Sequence, residues 1–244
     1  MIILDKLPDN NNIDTIIFDV DSTITRWKNV EHFLQKALKI LGVPYSEDAL
    51  NGLFRAMKYR EYHAMTTSES DEMIYSLLLE QYIEVLKQYN ISGQQLKETM
   101  FKMEAEQTFI SDEVPEEIKE LSKSYKLYCY TNWFKKQTIA KLDKYDLTKY
   151  FIDIHSSEDT YLKFTKIGFQ CLLNKYKLNP SKTITIGDSV TDIIPSHKAG
   201  MHTIYLNYKQ DNEITEEQMK LITTADASIT EFKDIRSVLT KKKL

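Results

Sequence analysis

Ile16-Ile17-Phe18-Asp19-Val20-Asp21-Ser22-Thr23 sets three apolar residues directly before two carboxylates and two hydroxyls. A short apolar run bounded by turn-forming residues predicts a buried strand, which places the carboxylates in the loop at its carboxyl end. Open α/β sheets keep their ligands at that end. The layout recurs far down the chain, where Thr183-Ile184-Thr185-Ile186 runs into Gly187-Asp188-Ser189-Val190-Thr191-Asp192. Two such loops on neighbouring strands would gather four carboxylates. Like charges so close repel one another unless a cation intervenes, and hard oxygen ligands suit Mg2+. The expectation is a metal-dependent enzyme.

With 244 residues the chain is long enough for one large domain, or for a core domain carrying an insert. Hydrophobic residues at 42% and charged residues at 28% are ordinary for a folded globular protein. A net charge of -4 gives no electrostatic reason to expect a nucleic-acid partner, and Lys241-Lys242-Lys243 reads as a solvated end. Cys129 and Cys171 fall in a predicted strand and a predicted helix and read as small buried residues, which fits a reduced, cytoplasmic setting. Asp5 and Lys6 break the first apolar run too early for a signal peptide, and no stretch has the length of a membrane span. Glycine is scarce at six residues, so Gly187 and Gly200 are expected where the backbone is unusual.

Beyond the first strand the pattern turns helical from residue 28 to residue 108. Helices are predicted over 29–41, 46–60, 68–89 and 92–107, with Ser46, Ser68 and Ser92 as N-caps, and four such helices pack most simply as a bundle. From Pro115 the chain alternates. Strands are expected over 127–130, 151–154, 183–186, 203–206 and 228–229, and helices over 115–122, 135–145, 165–176, 191–199, 216–222 and 232–239. Alternation of this kind predicts a Rossmann-like parallel sheet with helices on both faces. The expected organisation is therefore an α/β core of residues 1–27 and 109–244 and a helical cap of residues 28–108.

Asp19-Val20-Asp21-Ser22-Thr23 resembles the DxDxT motif of the haloacid dehalogenase-like hydrolases, and Gly187-Asp188-Ser189-Val190-Thr191-Asp192 resembles their GDxxxD loop. Thr131-Asn132 closes the strand between them as the second motif of that family does, and Lys163 stands before a helix where the family lysine stands, although Phe164 replaces the usual proline. The resemblance implies a nucleophile at Asp19, an acid and base at Asp21, and phosphoryl binding by Thr131, Asn132 and Lys163. It also implies Mg2+ on Asp19, Asp188 and the Asp21 carbonyl, with Asp192 ligating through water or orienting Lys163. The chemistry agrees: a carboxylate is a competent nucleophile toward phosphorus once the charges are offset, and the equatorial oxygens need donors. Thr23 and Ser189 read as braces for their loops.

The same family includes dehalogenases, phosphomutases and phosphonate hydrolases. Expelling halide needs neither a proton nor a metal, whereas an acid at Asp21 and the acidic second loop are what cleavage of a phosphate ester requires. The expectation is a Mg2+-dependent phosphatase acting on a small phosphorylated metabolite, a nucleoside monophosphate or a sugar phosphate. A metal-independent 2-haloacid dehalogenase and a non-catalytic binding protein of the same fold are the alternatives. Arg55, Lys58, Arg60, Tyr62 and His63, in the polar stretch between two cap helices, and Trp27 and Trp133, beside the motifs, are open to two readings: contact with the rest of the substrate, or ordinary solvation and packing.

Overall fold

The computed structural model describes residues 2–7, 12–26, 30–47, 87–104, 106–156, 159, 161–207 and 216–240. The chain divides into two compact units, Met1–Arg26 with Phe109–Leu244, and Trp27–Thr108. In the second unit helix α1 (Val30–Ile40) packs on α2 (Gly93–Glu104). Gly42 closes α1 at φ +72°, and the Val43 N–H returns to the Leu38 carbonyl at 2.9 Å. Ser92 caps α2 by accepting from the Gln95 N–H at 3.2 Å, while the Gln95 side chain accepts from the Ser92 N–H at 2.9 Å. Most of the helices expected over 46–60 and 68–89 lies outside the described residues, as do Trp27, Arg55, Lys58, Arg60, Tyr62 and His63.

The first unit is built on a sheet of seven strands: β1 (Ile2–Asp5), β2 (Thr15–Phe18), β3 (Lys126–Thr131), β4 (Asp153–Ser156), β5 (Thr183–Gly187), β6 (His202–Leu206) and β7 (Ala227–Ile229). Their order is β1-β7-β6-β5-β2-β3-β4. Every neighbouring pair whose register is described runs parallel except β1 with β7. The expected strands do form a parallel sheet, and the antiparallel edge is an added strand: Ile2-Ile3-Leu4 is short for a strand by itself and is held by pairing Ile2 with Ile229. A departure is β4, which starts at Asp153, two residues later than its apolar run, because Ile152 is left 58% exposed.

All four residues of β2 are buried, as a strand covered on both faces requires. Ile16 and Phe18 join Leu127, Cys129, Ile184 and Ile186 on one face, packed by Ile118 and Leu121 of α3 (Val114–Ser122) and by Ile235 and Val238 of α8 (Asp234–Leu239). Phe18 stacks on Phe232 at 5.8 Å between centroids. Ile17 faces the other way, against Phe169, Leu172 and Leu173 of α5 (Lys166–Tyr176). Each such side chain contributes about 1.5–3 kcal/mol by leaving water. The remaining helices are α4 (Lys135–Asp143), α6 (Val190–Lys198) and α7 (Glu216–Thr224).

Register decides where the loops meet. Phe18 is level with Cys129 on one side and Ile186 on the other, so the carboxyl ends of β2, β3 and β5 lie together. From β2 the chain crosses to β3 and β4, then returns to place β5 on the opposite side of β2, so those ends form the crevice of a topological switch point.

Candidate active site

Past Phe18 the chain stays tied to the sheet, with the Asp19 N–H donating to the Ile186 carbonyl at 2.9 Å. The Val20 carbonyl then accepts from the N–H groups of Ile24 at 2.9 Å and Thr25 at 3.0 Å, and Ser22 sits in the left-handed region at φ +72°. A non-glycine residue there is uncommon and marks a turn held by its surroundings. The Ile110 N–H bonds the Ile24 carbonyl at 3.1 Å, joining the points where the chain leaves and re-enters this unit.

This turn delivers Asp19 into a buried charged cluster. The Lys163 ammonium donates to Asp19 Oδ1 and, at 2.6 Å, to Asp192 Oδ1, and all three side chains are almost fully buried. Asp19 Oδ2 accepts from the Thr23 hydroxyl at 3.0 Å, which also lies 3.5 Å from Asp188 Oδ1. Asp192 serves two groups at once, because its Oδ2 accepts from the Ser189 hydroxyl at 2.6 Å and the Ser189 N–H at 3.2 Å in the capping box of α6. Thr23 and Ser189 therefore brace the loops.

The loop of Lys163 is placed by two residues at the end of β3 and in the turn after it. The Asn132 side-chain oxygen accepts from the Lys163 N–H at 2.8 Å, and the Tyr130 hydroxyl donates to the Tyr161 carbonyl. Gly168 lets this happen, since a β-carbon there would stand 2.7 Å from the Leu162 carbonyl oxygen. Gly187 answers a similar need for space: its β-carbon would lie 2.6 Å from Asp192 Oδ2. Of the two glycines expected to hold an unusual backbone, only Gly200 does, at φ +87°.

Thr131 is buried at the end of β3, where its hydroxyl accepts from the Trp133 N–H at 2.9 Å and donates to Asp21 Oδ2 at 3.3 Å. The other Asp21 oxygen accepts from the Lys141 ammonium at 2.6 Å. No sequence motif points to Lys141. Its one signal is the spacing of Thr138, Lys141 and Leu142, the buried stripe of α4, which puts a lysine on the inner face.

The electrostatics follow from burial. Asp19 is pushed up to about 7, first by loss of water and then by the Asp192 charge, against the opposing pull of Lys163. Burial alone would lower the Lys163 ammonium, but Asp19 and Asp192 hold it well above the ordinary lysine value. One oxygen each of Asp19, Asp188 and Asp192 lie within 4.8 Å of one another. A single ammonium offsets only one of those three charges, so the donor set fits a hard divalent cation.

A second polar group stands at the end of β4, where Asp153, His155 and Asp159 approach one another. Its cations are side chains: Lys135 bonds Asp159 at 3.0 Å and Asp153 at 3.4 Å, and Lys175 lies 3.5 Å from His155 Nδ1. His155 is fully buried and lowered to about 4, chiefly by desolvation, with Asp159 opposing. Between that value and the ordinary 6.5 the folded chain binds fewer protons here than the unfolded one, so this group's contribution to stability is lost as pH falls through the window. His155→Phe, an aromatic that can keep the edge contact to Tyr130, is expected to remove that pH dependence. Urea unfolding at pH 7 and pH 4.5 is expected to show roughly 2–3 kcal/mol less acid loss in the variant than in the wild type.

Residues 16–206 match the sequence profile of the haloacid dehalogenase-like hydrolases. The chain belongs to that family. As a haloacid dehalogenase-like hydrolase it is an enzyme, and it shares its fold with YfnB of Bacillus subtilis, assigned as a HAD-hydrolase and solved bound to magnesium. The two are 22% identical with a TM-score of 0.72 over 93% of this chain and 98% of that one. It is similar also to L-2-haloacid dehalogenase from Xanthobacter autotrophicus with chloropropionic acid covalently bound, at 12% identity and a TM-score of 0.70 over 93% of this chain and 98% of the other. A predicted phosphoglycolate phosphatase from Haemophilus somnus gives 19% identity and a TM-score of 0.67 over 94% and 99%. Curated protein sequences gave no match. Among the described residues no helix is long and apolar enough to cross a membrane.

Proposed function

We propose that this hydrolase is a Mg2+-dependent phosphomonoesterase acting on a small phosphorylated metabolite, a nucleoside monophosphate or a sugar phosphate. The observation that carries the reading is Asp21, whose carboxyl is gripped by Lys141 and Thr131 beside the three gathered carboxylates. A dehalogenase has no use for an acid, since halide leaves without a proton. In the proposed reaction Asp19 attacks phosphorus and forms an aspartyl-phosphate as the ester P–O bond breaks. Asp21 gives its proton to the departing alcohol oxygen, then takes one from the water that cleaves the intermediate. Lys163, the Thr131 hydroxyl and the Asn132 N–H bind the phosphoryl oxygens, while Asp192 keeps Lys163 in place. Asp19, Asp188 and the Asp21 carbonyl would hold Mg2+, which would supply positive charge against the carboxylates and the phosphate.

The test is turnover of 4-nitrophenyl phosphate. Activity is expected with Mg2+, a fall of at least about 100-fold with EDTA, and recovery when Mg2+ is restored, which is the loss expected when charge offset at a phosphoryl group is removed. Halide release from chloroacetate in EDTA, with no phosphate release in Mg2+, would replace this reading with the dehalogenase.

A further inference from the structure

Lys141 is a costly residue that phosphoryl transfer leaves without a task. Its side chain is fully buried, whereas the carboxylate it meets is 35% exposed. A buried ammonium is poor material for stability, since an apolar side chain of similar size ordinarily does better. Position 141 is one residue before Leu142 on the buried face of α4, so a methionine or leucine would suit the packing there. The lopsided burial matters as well: removing the lysine leaves Asp21 in reach of water, so a variant at this site is expected to keep the fold.

We propose that Lys141 is a positioning residue for Asp21, holding Oδ1 so that Oδ2 faces the leaving group. The proposal rests on the phosphatase reading and assigns it the capacity to cleave esters of poorly leaving alcohols. An aspartate side chain in a surface turn can occupy several rotamers. Without substrate both oxygens are held, Oδ1 by Lys141 at 2.6 Å and Oδ2 by the Thr131 hydroxyl at 3.3 Å; once that hydroxyl turns to the phosphoryl group, Lys141 is left to fix the carboxyl. With Oδ1 tied to the ammonium, Oδ2 is the oxygen left to exchange a proton with the leaving group. That oxygen lies beside Thr131, where the phosphoryl group is expected. As the P–O bond breaks, its electron pair stays on the alcohol oxygen and the Oδ2 proton moves to it. Misplacing the acid by a fraction of its hydrogen-bond length lowers kcat/KM, which reports the ester-breaking step, only where the leaving group needs a proton, whereas its role as base in the later hydrolysis is common to all esters.

Leaving-group dependence separates this role from a structural one. For Lys141→Met, kcat/KM is to be measured in Mg2+ with 4-nitrophenyl phosphate, phenyl phosphate and benzyl phosphate. Loss of a well-placed general acid is worth about 100-fold or more, expected with benzyl phosphate and graded through phenyl phosphate. With 4-nitrophenyl phosphate, whose phenolate leaves unaided, the expected loss is about threefold at most, and the Tm is expected to match the wild type. An equal loss with all three esters, or a lowered Tm with general inactivity, would assign Lys141 to structure and overturn the proposal. A wild-type chain that hydrolyses none of the three would overturn the phosphatase reading itself.

Discussion

Asp19→Asn is expected to reduce turnover of 4-nitrophenyl phosphate by a factor of about 10⁴ or more while the protein stays folded. An amide oxygen is a very weak nucleophile toward phosphorus, and loss of a covalent catalyst of this kind typically removes most of the rate. The structure adds a second, less obvious expectation. Lys163 would remain paired with Asp192 at 2.6 Å, the asparagine oxygen can take the place of Oδ1 toward that ammonium, and the Thr23 hydroxyl can turn to accept from the amide NH2. Two buried carboxylates facing one ammonium become one facing one. Because burial and Asp192 push Asp19 up to about 7, the charged form strains the metal-free site, and a neutral amide relieves that strain. In EDTA the variant should therefore melt no lower than the wild type, and Mg2+ should raise its Tm less. Both readouts come from one purification: phosphate release, and thermal melts with and without the ion. Turnover within tenfold of the wild type would remove Asp19 as the nucleophile, whatever the melts show.

The acidic loops are legible in the sequence because their strands are short apolar runs and the loops begin where the apolar residues stop. Level strand ends then bring Asp19, Thr131 and Asp188 to one crevice without further help from the sequence. What the sequence hides has a common cause, polar side chains made at home indoors by partners distant in the chain. Lys141 looks like a solvent-facing lysine because its partner is 120 residues away. The fourth strand is expected over 151–154 and runs over 153–156, because Asp153 and His155 are polar and hide its second half. In the fold Tyr176 bonds Asp153, and Phe169 and Tyr176 lie beside Tyr130 and His155. Gly187 is expected to bend the backbone, whereas the constraint is the volume that Asp192 occupies. Periodicity reports which face a residue belongs to, but it does not report whether a charge on that face will find an opposite charge there.

Lys163→Met is the change expected to harm both activity and fold. Lys163 and Asp192 are almost wholly buried, as is Asp19, so removing the ammonium leaves two carboxylates facing each other away from water. Breaking a buried pair by deleting one partner costs about 3–5 kcal/mol. For a chain of this size that lowers the melting temperature by roughly 10 °C in EDTA. Mg2+ should return part of the loss, because a divalent ion held by Asp19 and Asp188 would again offset the charge. Catalysis should not return, since the phosphoryl group would still lack the cation that binds its oxygens. Adding Asp192→Asn to the methionine variant separates the two roles. It removes one of the opposed carboxylates while the amide oxygen can still accept from Ser189 at the start of α6. The double variant is expected to melt several degrees above the single one and to remain inactive, a non-additivity that measures the coupling of the pair. A methionine variant as stable as the wild type would show that Asp19 and Asp192 do not share a buried charge with Lys163, and the charged centre of the site would have to be redrawn.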